Sequence, residues 1–132
     1  MLDDLKFIHD KDQQDALGIA EKQWQQLEST FNLERITNDS FENVVFAGMG
    51  GSALAALIAT SWPKVKVPFE MCRGYDTPNY VGSKTLFIAS SYSGNTEETL
   101  SALEQAETKG AVIAVISGGG KLAQIAKSKK YP

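Results

Sequence analysis

The chain has 132 residues, 42% of them hydrophobic and 22% charged, which suits one soluble domain with a real core. Its net charge of −3, without a dense Lys/Arg block, excludes the electrostatic footprint of a nucleic-acid binder. A lone cysteine, Cys72, rules out an intrachain disulfide and a cysteine-cluster metal site, and no apolar run approaches the ~20 residues of a membrane span.

The opening MLDDLKFIHD is acidic and broken by charge, unlike a signal peptide, and the single histidine, His9, reads as a surface residue without ligand or catalytic partners. Residues 13–31 carry Leu17, Ala20, Trp24, Leu27 and Phe31 three or four apart. That spacing predicts a helix with Trp24 on its core stripe. After a polar connection, NVVFAG (43–48) is a short valine-rich run ended by glycine, a buried strand. SALAALIAT (52–60) reads as a helix stopped by Pro63.

VKVPFEMC (65–72) is a second strand whose internal Pro68 argues for an edge or a bulge, with Cys72 as a small buried hydrophobe. RGYDTPNYVGSK (73–84) is a loop and TLFIAS (85–90) a central strand. TEETLSALEQAETK (96–109) is a helix, with Leu100, Leu103 and Ala106 on one face and Gly110 as its stop. AVIAVIS (111–117) is a fourth strand and KLAQIAKSKK (121–130) a last helix with a solvated lysine end. A fifth parallel strand is expected to begin at KKYP. This order, a helix followed by β-α-β-loop-β-α-β-α, predicts an α/β fold: a mostly parallel sheet in a three-layer αβα sandwich with right-handed connections. The glycine loops GMGGS, SSYSGNT and SGGGK then share the carboxyl edge of the sheet, where ligands of such folds sit.

Two of these loops have the makings of an anion site. In GMGGS, Gly50 and Gly51 admit close backbone approach and Ser52 brings a hydroxyl to a helix start. The spacing is neither G-x-G-x-x-G nor a Walker loop, and no acid ends the second strand cleanly, Glu70 being nearest; a dinucleotide is disfavoured. Lys121 after three glycines reads as a helix start. SSYSGNTEET (90–99) holds five Ser/Thr hydroxyls. Ser91, Ser93 and Thr96 lie around Gly94 at a turn into a helix, where hydroxyls and free amides can converge on a dianion favoured by the helix dipole. The alternative is plain N-capping by Ser93, Asn95 or Thr96, which accounts for one hydroxyl rather than three. Glu97 and Glu98 suit any helix N-terminus.

With GMGGSA, SSYSGNTEET and ISGGGKLAQIA each following a strand, the chain resembles a sugar isomerase (SIS) domain, with its flavodoxin-like, doubly wound topology and an extra N-terminal helix. More closely, it is similar to the N-terminal half of the bifunctional phosphoglucose/phosphomannose isomerases. The resemblance implies that Ser52, Ser91, Ser93 and Thr96 surround the phosphate of a hexose 6-phosphate and that Gly50 and Gly51 line the sugar. It further implies an aldose–ketose isomerase working through an enediol, without cofactor or metal, and pairing as a homodimer; the cytoplasmic location expected for it comes from the lack of a disulfide framework. Ala53, Ala55 and Ala56 stand where family members often keep glycines.

Those enzymes carry two SIS domains and place their catalytic glutamate, histidine, lysine and arginine beyond the segment matched here. Residues 1–132 are therefore expected to be one SIS domain, the N-terminal domain of a longer enzyme, binding substrate without catalytic residues of their own. Two alternatives stand beside this: a regulatory SIS module that senses a sugar phosphate, and a single-domain isomerase that assembles its site from several subunits.

Overall fold

The computed structural model describes residues 4–28, 40–61 and 65–132. Two compact units, Met1–Leu33 and Glu34–Pro132, are separated by their internal contacts. In the first, α1 (Leu5–Lys11) is capped by Asp4, whose carboxylate accepts from the Phe7 amide at 3.1 Å. A second helix, α2 (Ala16–Lys22), is followed by a 3-10 turn, Gln23–Glu28. The single helix expected from residue 13 does not form. Asp15 adopts a left-handed φ of 52°, so no helix runs through it. The Asp12 carboxylate instead accepts from Ala16 and Leu17 amides, both at 2.8 Å, and these two bonds, Leu17 first, lower its pKa. Trp24 is not a core residue: it is 57% exposed, and Leu17 is as open. The remainder of the expected helix, with Phe31, lies outside the described residues, as does Pro63.

The second unit is a four-stranded parallel sheet ordered β2-β1-β3-β4, built from β1 (Asn43–Gly48), β2 (Phe69–Cys72), β3 (Thr85–Ser91) and β4 (Val112–Ser117). Pro68 ends up just before β2 rather than inside it, and its carbonyl accepts from Val44. The proline thus needs no ladder donor, and β2 sits at the edge. From β1 the chain moves outward to β2, and from β3 it moves the other way to β4. The right-handed crossover rule puts α3 (Leu54–Thr60) and α4 (Glu97–Thr108) on opposite faces. A 3-10 turn, Gly50–Ala53, precedes α3, and the alanines Ala53 and Ala56 are its buried contacts. They serve as packing residues there.

The core lies on the α4 side. Val45, Ala47, Phe87, Ala89 and Ile113 project from alternate positions of three strands onto Ala102, Leu103 and Ala106 of α4 and Leu122 of α5 (Gly120–Lys129). On the other face Phe46 stacks on Phe69, centroids 6.4 Å apart. The β2–β3 connection (73–84) has no helix. It is laid along α4 instead, with Val81 and Thr77 buried. The Gln105 amide donates to the Tyr75 carbonyl at 2.7 Å and accepts from the Thr77 amide at 3.1 Å.

Beyond α5, the Pro132 carbonyl accepts from the Val115 amide at 2.9 Å, along the outer edge of β4. Tyr131 donates to Glu107 at 2.8 Å, and the same carboxylate takes the Lys129 ammonium at 2.6 Å. Burial, then the Glu107 carboxylate, pushes the Tyr131 phenol up to about 12 from 10.0. The folded state therefore favours the protonated phenol. Its contribution is complete below pH ~10 and is lost as pH rises through 12. Thermal melts from pH 9 to 12 should fall more steeply for the native chain than for Tyr131→Phe; parallel curves would remove Tyr131 from the alkaline transition.

Candidate functional site

The strand register aligns the three glycine loops. Gly48 pairs with Ser90 and Ser91 with Ser117, so β1, β3 and β4 end side by side. Between β1 and β3 the strand order reverses. Their two loops diverge to opposite faces there, which opens the crevice where doubly wound sheets take ligands. GMGGS lies on one side of the crevice and SYSGNT on the other.

In the β3–α4 turn the expected hydroxyls do come together. Ser91 Oγ is 2.8 Å from Thr96 Oγ1 and 3.4 Å from Ser93 Oγ. Ser91 is buried, Thr96 half-buried and Ser93 exposed, so the cluster grades from the protein interior to solvent. Ser91 Oγ also accepts from the Gly94 amide at 3.0 Å, and Ser93 Oγ from the Asn95 amide at 3.3 Å. Across the crevice, Ser52 Oγ accepts from the Tyr92 amide at 3.3 Å, which ties the β1 loop to the β3 loop.

Plain capping does not explain this cluster. Thr96 is the N-cap of α4, yet no side-chain hydrogen bond caps the helix. The first-turn amides are thus left without a partner inside the helix. The Thr96 hydroxyl is engaged by Ser91, and the Asn95 side-chain Oδ1 accepts from the Lys121 amide of α5 at 3.1 Å.

The sequence singled out SGGGK only as another polar loop. In the structure it is the scaffold of the hydroxyl turn. Ser117 Oγ donates to the Ser91 carbonyl at 2.8 Å, the Gly118 amide to the Tyr92 carbonyl at 3.1 Å and the Leu122 amide to the Gly94 carbonyl at 2.9 Å. Gly94 sits at φ +68°, and a Cβ there would lie 1.7 Å from the Gly119 carbonyl oxygen. Motif reading offered Asn95 only as a possible helix cap and Ser117 only as the end of the fourth strand. The meeting of two strand ends reveals their role in bracing the turn.

On the GMGGS side Gly50 takes φ +51°, and a Cβ at Gly50 or Gly51 would meet nothing within 4 Å. The space over this turn is open, with the two backbones bare towards it. The crevice is short of positive charge. Glu97 and Glu98 occupy the first turn of α4, and Tyr75 donates to Glu97 at 3.4 Å. Glu98, then burial, then Glu97 raise the Tyr75 phenol above its ordinary pKa. An anion here would be held by hydroxyls, amides and the helix dipole. Among the described residues no group of His, Cys, Asp or Glu could hold a metal, and no helix is long and apolar enough to cross a membrane.

No family model matches the sequence. A bifunctional phosphoglucose/phosphomannose isomerase of Caldicellulosiruptor bescii is 50% identical over 95 residues, which are 70% of this chain and 28% of that protein. The enzyme of the same name from Thermoplasma acidophilum is 49% identical over 86 residues, 65% of this chain and 27% of its own length. Among solved structures, a provisionally named phosphosugar isomerase from Bacillus subtilis superposes with a TM-score of 0.55 at 26% identity, over 64% of this chain and 29% of that one. The chain thus spans under a third of the relatives it matches. Over the matched residues it is homologous to a segment of the bifunctional phosphoglucose/phosphomannose isomerases, and it carries the α/β fold of the phosphosugar isomerases.

Proposed function

We propose that this chain is the sugar-phosphate-binding SIS domain of a cytoplasmic isomerase that interconverts glucose 6-phosphate or mannose 6-phosphate with fructose 6-phosphate through an enediol. The observation that carries the reading is the convergence of the Ser91, Ser93 and Thr96 hydroxyls at the N-terminus of α4, which no side chain caps. The phosphate sits on these hydroxyls and the first-turn amides, with the Ser52 hydroxyl across the crevice. Each charge-assisted bond contributes about 2 kcal/mol net, so four to six suffice without a lysine. The sugar extends over Gly50 and Gly51, where no side chain intervenes.

Isomerisation also needs a base to carry a proton between C1 and C2, an acid to open the ring and a cation to steady the enediolate. The cradle contains none of these, so they come from another part of the enzyme, and this chain binds without turnover. Calorimetric titration of the chain tests this. Glucose 6-phosphate binds, inorganic phosphate competes with it, glucose does not bind, and no fructose 6-phosphate forms. Absence of any heat up to ~10 mM hexose 6-phosphate, or equal binding of glucose, would sink the cradle. On the same footing the chain pairs as a homodimer, which sedimentation equilibrium measures directly.

A further inference from the structure

The fifth hydroxyl of SSYSGNTEET is not used by the cradle. Thr99 is 1% exposed, and its Oγ1 is buried without a hydrogen-bond partner. A buried hydroxyl left unbonded is destabilising, and in a native fold it calls for a reason. Its position supplies one. Thr99 belongs to the buried face of α4, with Ala102, Leu103 and Ala106, and is the member of that face nearest the helix start. Helical Cα–Cβ bonds tilt towards the N-terminus, so its side chain lies over the preceding turn, the one that Thr96 opens. Thr96 is its neighbour three residues back on the helix surface. The bare hydroxyl thus belongs to the first turn of the helix whose start forms the cradle.

Hydrogen-bond accounting shows what it can do there. Each hydroxyl has one proton to donate and two lone-pair sites. Without a ligand, Ser91 and Thr96 share one proton across their 2.8 Å contact, and Ser91 also accepts from the Gly94 amide. A phosphate dianion only accepts. To receive protons from both Ser91 and Thr96 it must break their mutual bond, which empties a lone-pair site on whichever oxygen had been accepting. Thr99 Oγ1–H, buried without a partner three residues along the same helix, is a free donor that can fill it.

We infer that Thr99 is a positioning residue of the phosphate site, donating to the Ser91 or Thr96 oxygen once both of those hydroxyls turn to the ligand. Its missing bond is the cost of the empty state and is made only in the loaded one. The donation also polarises the hydroxyl that receives it, so that hydroxyl binds the anion more strongly. This rests on the cradle reading given above.

Thr99→Val keeps the shape and removes the hydroxyl, and Thr99→Ser keeps the hydroxyl. Both are compared with the native chain by thermal melting without ligand and by calorimetric titration with glucose 6-phosphate and with inorganic phosphate. Thr99→Val should melt about 2–5 °C higher, because the unbonded group is gone. It should bind both ligands about tenfold more weakly, with Thr99→Ser close to native affinity. Stability and affinity would thus move in opposite directions, which loss of packing cannot produce. If the native chain binds phosphate and Thr99→Val binds it equally well, this inference fails alone. If Thr99→Val loses melting temperature and affinity together, Thr99 is only a packing residue. A native chain that binds no phosphate overturns the cradle and this inference with it.

Discussion

Gly94→Ala is expected to be the most damaging single substitution in the hydroxyl turn, lowering stability by more than ~3 kcal/mol. Two costs add. A Cβ-bearing residue at φ +68° is worth about 1–2 kcal/mol against the fold. The new methyl would also stand 1.7 Å from the Gly119 carbonyl oxygen, a backbone atom that cannot swing aside as a side chain would. Relief requires the SYSGNT and SGGGK loops to part, which breaks the Gly118–Tyr92 and Leu122–Gly94 backbone bonds. For a small domain whose total stability is ~5–15 kcal/mol, this is a large fraction. Urea unfolding should show a lower midpoint with an unchanged slope. Gly51→Ala is the control, since nothing lies within 4 Å of its Cβ; its stability should change by less than ~0.5 kcal/mol. Equal midpoints for the two variants would refute the account of how the loops lock.

The second large effect is on binding. The double substitution Ser91→Ala with Thr96→Ala removes both partners of the 2.8 Å hydroxyl pair. Two charge-assisted bonds to a phosphate are worth ~3–4 kcal/mol together, so affinity for glucose 6-phosphate should fall by a factor of about 100 or more. The fold should tolerate the change far better. The Gly94 amide keeps its bond to the Ser91 carbonyl at 3.1 Å, and the cost in urea should stay near ~1 kcal/mol. Calorimetry and unfolding on one preparation separate the effects. Unchanged affinity would show that the hydroxyls serve the turn and nothing else.

How legible this molecule is from its sequence differs between its two units. In residues 43–132 the strands are short valine- and isoleucine-rich runs closed by glycine loops, and their ends are off by one residue at most, apart from β2. That strand begins at Phe69 rather than Val65 because Pro68 has no amide for the ladder. Parallel strands buried on both faces and joined by helices leave a composition signal that does not depend on neighbours far along the chain. The N-terminal unit leaves a weaker one. Leu17, Ala20 and Trp24 have helical spacing, but Asp15 in a left-handed conformation starts the helix afresh, and the stripe is exposed. Spacing cannot report a single backbone dihedral, nor whether an apolar stripe is covered.

The same division runs through the site. Sequence alone determined the strand-to-helix positions of GMGGS and SYSGNT, the excess of hydroxyls and the glycines beside them, because turn chemistry and helix starts are local. Only the tertiary structure decided that the strand order reverses between β1 and β3, so that these two loops face one crevice. It also made SGGGK, read from sequence only as a polar loop opening a helix, the scaffold of its neighbour, left α4 without a side-chain cap, and buried the Thr99 hydroxyl without a partner. Each of these depends on which strands lie side by side. Strand pairing is a property of contacts between residues distant in the chain, and no local pattern of side chains encodes it by itself.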